Sequence, residues 1–181
     1  MADQKQKVLS SKKILSSKLF DVSEDVLEAG NKKYIFQSVR LHPVAEVLPI
    51  TQKKEVYLIN QYRYMFGKKM LGIVAGMVDD GESPIKTAAR ELEEEAGIIA
   101  GELELLAKSE ISRACAVQTH FLFLARDLRL TEQHLQDEEE IEVVKMPLKE
   151  AVEKVMSGEI YHSPSMAGIL MVDKLRQMGK L

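Results

Sequence analysis

Cysteine is almost absent: Cys115 is the one thiol in 181 residues. No disulfide can close within the chain, and a reducing compartment is the expected setting. Long apolar runs are missing too. None approaches the ~20 residues a membrane span needs, and residues 1–13 hold no apolar segment of the secretory kind. A large excess of either charge is also lacking, since 25 basic against 28 acidic side chains leave a net charge of −3. That balance argues against a general binder of nucleic acid or another polyanion. No internal repeat or low-complexity linker interrupts the sequence. These absences predict a soluble cytoplasmic protein with one domain, or one domain and a small extension.

What is present can build a core, because 45% of the residues are apolar. The first half reads as strands: residues 14–22, a brief piece at 26–27, a turn at Gly30-Asn31, then 33–40. Runs 44–50 and 55–61 flank the polar residues 51–54 and predict an antiparallel hairpin. The period then changes. Ser83 fits an N-cap and Pro84 the first helical position. Ile85, Ala88, Ala89, Leu92 and Ala96 recur at helical steps, and Gly97 is the expected stop. A helix over 84–96 follows. Strands at 103–111, 118–126 and 143–146 come next. A helix over 148–156 with Leu148, Ala151, Val152 and Val155 inward precedes a last helix from about 163 to 178. The apolar face of that last helix reads as Met166, Ile169, Leu170 and Leu175. Strands before, between and after helices predict a mixed α/β (α+β) domain.

Charge is unevenly spread. Residues 1–18 carry five lysines against one acid, whereas Glu91, Glu93, Glu94 and Glu95 crowd five positions. On a helix Glu91 sits one turn from both Glu94 and Glu95. Like charges at this spacing cost a few tenths of a kcal/mol per pair, and more where water is excluded. A hard divalent cation removes that cost, since magnesium takes carboxylate oxygens and is often completed by phosphate. Glu82 stands just before the helix, within reach of the same ion. Gly76 lets backbone oxygens near Ala75 approach a metal. The competing reading is a plain solvated face, which Arg90 four residues before Glu94 also suits.

The full spacing separates the two. Gly76, five residues, Glu82, seven residues, then Arg90-Glu91-Leu92-Glu93-Glu94-Glu95-Ala96-Gly97-Ile98 fill every fixed position of a 23-residue signature. The chain therefore resembles the Nudix family, whose box is G-x5-E-x7-R-E-U-x-E-E-x-G-U with U aliphatic. The resemblance implies an α/β/α sandwich with a mixed sheet and hydrolysis of a nucleoside diphosphate linked to a further group. It implies Mg2+ or Mn2+, two or three ions per site. Glu91 and Glu95 would be the main ligands, with Glu94, Glu82 and the Ala75 carbonyl as further or water-mediated ones. Arg90 would orient the glutamates, with Gly76 and Gly97 structural.

The likeness continues outside the box. Residues 61–64, Gln-Tyr-Arg-Tyr, and Gly67-Lys68-Lys69-Met70-Leu71 resemble the lead-in of ADP-ribose and nucleoside diphosphate sugar pyrophosphatases. That group implies an N-terminal β region, here 1–43, exchanged across a homodimer and contributing to base binding, ahead of a hydrolase domain at 44–181. Arg63 and Arg113 become candidate diphosphate contacts, because guanidinium forks match phosphate. Tyr62, Tyr64 and Phe36 are candidates to stack on a base, against ordinary core packing. Two departures, Gly72-Ile73-Val74-Ala75-Gly76 and Ser112-Arg113-Ala114-Cys115, leave ADP-ribose and hexose-linked nucleotides both open. The acidic run 137–142 would supply the carboxylate that activates water, Glu139 or Glu140, with Glu94 a further catalytic candidate.

Other chemistries find less support. No nucleophile-elbow motif accompanies His162 and Ser163. Strand alternation puts Cys115 and His120 on opposite faces. The alternatives that remain are a nucleoside triphosphate or dinucleoside polyphosphate hydrolase on the same fold, and a module that senses a nucleotide without cleaving it.

Overall fold

The computed structural model describes residues 6–136 and 139–181. The side chains of Ser112 and Arg113 lie outside that description. The chain divides into two units, one reaching to Pro43 and taking in Glu110–Thr119, the other Val44–Ser109 with His120–Leu181.

In the first unit, β1 (Lys7–Ser16), β2 (Phe20–Ala29) and β3 (Lys32–Leu41) form an antiparallel meander. The expected strand at 14–22 straddles the first turn of this meander. Ser17 closes that turn, its hydroxyl accepting the N–H groups of Leu19 and Phe20 at 3.1 Å each. The Gly30-Asn31 turn joins β2 to β3 as expected, with Gly30 at φ 61°.

The second unit holds β4 (Val44–Pro49), β5 (Glu55–Arg63), β6 (Lys68–Gly72) and β7 (Val74–Met77) before helix α1 (Pro84–Ala96). β8 (Ile98–Arg113) pairs with β9 (Ala116–Leu130), and β10 (Ile141–Pro147) leads into α2 (Leu148–Met156) and α3 (Ser163–Gln177). β4 lies between β9, parallel, and β7, antiparallel. β5 pairs with β6 and β10 in a separate three-stranded sheet. The predicted β4–β5 hairpin is therefore wrong: only one bridge, Ile50 to Val56, links them. β4 takes both its ladder partners from distant sequence, and β5 pairs with the distant β10 and with β6, the strand that follows it.

Two apolar clusters flank these strands. Ala88, Leu92 and Ala96 of α1 pack with Val47, Val74 and Phe123. Ala151 and Val155 of α2 and Ile169 and Val172 of α3 pack with Leu48, Leu58 and Leu124. Helices on both sides of a mixed sheet give the expected sandwich class. The face of α3 departs from expectation in part. Ser165, Gly168, Ile169 and Val172 are buried, while Leu170 is exposed. Gly168 sits close to β9: a Cβ there would stand 3.1 Å from Leu122 Cδ1 and would need that side chain to give way.

Candidate active site

Helix α1 forms over the predicted residues, and its detail explains the site. Ser83 holds the N-cap position in extended conformation, but its hydroxyl makes no cap. Its carbonyl instead accepts the N–H groups of Lys86 and Thr87 at 2.9 and 3.1 Å. The buried face is Thr87, Ala88, Leu92, Glu95 and Ala96, and Ile85 is 46% exposed. The expected stripe through Ile85 and Ala89 has turned by about one position. That turn carries Glu95 into the protein, where it is 5% exposed.

Glu95 Oε2 accepts the Ala75 N–H at 3.3 Å. One such bond does not repay burial of a carboxylate. Burial therefore raises the Glu95 pKa to about 8, with the charges of Glu91 and Glu139 adding and that of Arg63 opposing. Glu91 is half-buried, and burial raises it as well, with Glu94 and Glu139 contributing. Gly76 makes room for it: a Cβ there would lie 2.0 Å from Glu91 Cδ. Gly76 is thus required by a close approach of side chain to strand.

Arg90 ties the other carboxylates together. Its Nη1 donates to Glu91 Oε1 at 2.7 Å and Glu94 Oε2 at 3.1 Å, and its Nη2 to Glu82 Oε2 at 3.1 Å. Thr87 Oγ1 also donates to Glu82 at 2.7 Å. Arg90 first, then Thr87, hold the Glu82 carboxyl below its ordinary value, while Arg90 itself is raised.

The C-terminal end of α1 is laced to the segment after β9. Thr131 N–H donates to Gly97 O at 2.8 Å, His134 N–H to Glu94 O at 2.9 Å, and Gln133 Nε2 to Glu95 O at 2.5 Å. These bonds satisfy carbonyls that a helix end leaves free. Gly97 has φ 60°, and a Cβ on it would meet Thr131 O at 2.7 Å, so both conformation and space demand glycine. Further along, Glu139 Oε2 accepts the Gln136 N–H at 3.1 Å. Its charge acts on both Glu91 and Glu95. Glu140 points elsewhere: it is 78% exposed and pairs with Lys69 at 3.0 Å.

Glu82, Arg90, Glu91, Glu94, Glu95, Ala75, Gly76 and Gly97 are thus gathered around one helix, with Glu139 and Arg63 acting on it electrostatically. Tyr62 is 50% exposed in β5, opposite Lys69, and Tyr64 is 85% exposed. Phe36 belongs to the other unit, half-buried in β3 across from Asp25. The Arg113 side chain lies outside the described residues.

Sequence reasoning missed a second polar group. Glu46 is 1% exposed, and its Oε1 lies 2.9 Å from His120 Nδ1. Its Oε2 is buried without a hydrogen bond, and burial raises its pKa. A lone acid inside the apolar run 44–50 was the available signal. His162 and Ser165 also meet, Nδ1 to Oγ at 2.9 Å.

A divalent cation suits this donor set. A buried carboxyl held neutral and beside other acids gains most from a positive charge. Among the described residues no three ligating groups form a closed cage. Magnesium does not need one, because it is usually bound by one or two carboxylates with water and substrate phosphate.

The model of the NUDIX domain matches residues 40–166. The chain belongs to the Nudix family. Among its Nudix relatives, the ADP-ribose pyrophosphatase of Bacillus subtilis (strain 168) is 31% identical over 164 residues, 89% of each chain. The methanol dehydrogenase activator of Bacillus methanolicus is 28% identical over 167 residues, 91% of this chain and 90% of its own. The crystal structure of an ADP compounds hydrolase shares the Nudix fold at a TM-score of 0.83 and 24% identity, covering 100% of both chains.

Proposed function

We propose that this Nudix protein hydrolyses the pyrophosphate bond of nucleoside diphosphate sugars, ADP-ribose or a hexose-linked nucleotide. The products are a nucleoside monophosphate and a sugar phosphate. The observation that carries the proposal is the 5% exposed Glu95 carboxyl, set beside Glu91 and under the influence of Glu139 and Arg63. Glu91 and Glu95 would hold the metal, with the Ala75 carbonyl, and with Glu94 and Glu82 reaching it through water. Bound Mg2+ or Mn2+, about two or three ions, supplies neutralising charge to the diphosphate and makes water more acidic. Glu139 takes the proton of the attacking water. Arg63 holds a phosphate oxygen, and Arg90 fixes the glutamate rotamers through its fork of hydrogen bonds. Tyr62 is the candidate base contact within the second unit.

We also propose a homodimer built on the N-terminal unit. Its support is β1, whose residues are exposed on both faces, including Val8, Leu9, Ile14 and Leu15.

The test is a panel of ADP-ribose, GDP-mannose, UDP-glucose, ADP-glucose and 8-oxo-dGTP with Mg2+, read by chromatography of products. Monophosphate and sugar phosphate from at least one diphosphate sugar is the expected result. Pyrophosphate released from the triphosphate alone would move the protein to another Nudix class. The relative named as an activator favours a second reading, a regulator that binds a nucleotide. Binding in calorimetry with no product over hours would select it.

A further inference from the structure

His162 stands at the N-cap position of α3 and is half-buried. Its Nδ1 lies 2.9 Å from Ser165 Oγ, and the same Oγ accepts the Ile73 N–H at 3.1 Å. With one lone pair taken by the Ile73 N–H, the Ser165 hydroxyl still has its proton to give, and Nδ1 stands within reach of it. The hydroxyl is fixed in place: Ser165 is fully buried, and a Cβ on Gly72 would stand 2.9 Å from its Oγ. An accepting Nδ1 leaves the ring proton on Nε2. Burial keeps the imidazole neutral, lowering its pKa to about 4, with the charges of Arg63 and His120 adding.

The strand edge relates this ring to the carboxylates. β7 pairs with β4 along one edge. On the other edge, Ile73 N–H goes to Ser165 and Ala75 N–H to Glu95. Residues two apart in an extended chain point the same way and lie about 7 Å apart. Arg63 acts electrostatically on both ends of this row, since its charge is felt by Glu95 and by His162. A protonated histidine near Arg63 would repel it. A neutral ring can donate to the same anion as the guanidinium without that repulsion.

We propose that His162 is a substrate-positioning residue whose neutral Nε2–H donates to a nonbridging oxygen of the substrate diphosphate beside Arg63, with Ser165 setting its tautomer. The proposal rests on the diphosphate-hydrolase reading. It makes His162 a donor whose strength does not change between pH 5 and 8, unlike an ordinary surface histidine.

The experiment compares wild type, His162→Leu and His162→Gln with ADP-ribose and Mg2+, after circular dichroism has checked folding. In His162→Leu, KM should rise about tenfold or more, the loss of one hydrogen bond to a charged group, while kcat stays within about threefold. In His162→Gln, the side-chain amide restores a donor and should recover most of KM. A His162→Leu enzyme with wild-type KM overturns the proposal. That result would leave AMP production by wild type intact, whereas absence of product from wild type sinks the parent reading. Long-range 15N–1H spectra of wild type decide the matter if the leucine variant does not fold. They should show the proton on Nε2 from pH 5 to 8, and the Nε2 signal should move when pyrophosphate is added. A proton on Nδ1, or no movement, also overturns the proposal. In Ser165→Ala the two tautomers should mix, an effect that loss of packing alone does not produce.

Discussion

Glu95 concentrates the site's physics in one side chain. A carboxyl is buried beside two others, so the proton-bound form is favoured and the pKa rises to about 8. The ordinary value is 4.5. Between these two values the folded chain holds a proton that the unfolded chain has released, so stability must fall as pH rises. His162 acts in the opposite sense between about 4 and its ordinary 6.5, where the unfolded chain binds the extra proton and stability rises with pH. The window free of that opposition is pH 6.5 to 8. In EDTA, wild type should lose about 1–2 kcal/mol of stability across it, given ~1.4 kcal/mol per full unit of proton linkage. Glu95→Gln keeps an acceptor for the Ala75 N–H and has no proton to lose. Its urea-unfolding free energy should be flatter over the same range, and it should lose most turnover with Mg2+. Parallel pH profiles for the two proteins would show that Glu95 ionises freely. Added Mg2+ should stabilise wild type more at pH 8 than at pH 6.5, because the metal competes with that proton.

At the scale of the element, α1 and the segment that laces its end act together. Glu139 and Glu140 are adjacent, and the sequence left the choice between them open. Hydrogen bonds from Thr131, Gln133 and His134 to the end of α1 make the difference, because they lead the chain back over the carboxylates. Glu139 then acts on Glu91 and Glu95, while Glu140 pairs with Lys69. Glu139→Gln should lower kcat by about 10²–10⁴, the usual worth of a general base, with KM little changed. Glu140→Gln should stay within about threefold, since an exposed ion pair contributes little. Equal effects in steady-state assays would reject the assignment. The same contrast marks what was legible beforehand. The bounds of α1 and α2 could be read because period, proline and glycine act locally. β6 and β7 went unread, being short and set among glycines. The β4–β5 hairpin was misread because pairing is non-local: strands with two buried faces carry no mark of their neighbours. The α3 face was read in part: Ile169 and Met166 pack inward as expected, whereas Leu170 is exposed, because apolar residues surround the helix and the buried Ser165 and Gly168 carry no hydrophobic signal. The box fixed which carboxylates gather, but their burial came from a rotation that no count of apolar residues revealed.

At the scale of the whole molecule, the N-terminal unit presents a problem of exposure. Among the described residues β1 is an edge strand paired with β2 alone, and every residue of it is exposed. Val8, Leu9, Ile14 and Leu15 are 38–57% exposed, and Ile35 of β3 is 64% exposed. Apolar side chains exposed on both faces of a small sheet are what supports an interaction site here. Lys7, Lys12 and Lys13 lie along the same strand, and lysines on an edge discourage indiscriminate strand addition. A partner would then meet the faces of this sheet rather than extend its edge. A second copy of the unit satisfies that requirement, because an isologous contact places the same apolar faces together. Wild type should scatter light as a particle of about twice the 20.4 kDa chain mass. The double variant Ile14→Lys, Leu15→Glu should fall to one chain mass while its far-ultraviolet circular dichroism is retained, since these side chains support no core of their own unit. Wild type at one chain mass in the micromolar range would defeat the dimer. A double variant that remained paired would move the interface away from β1.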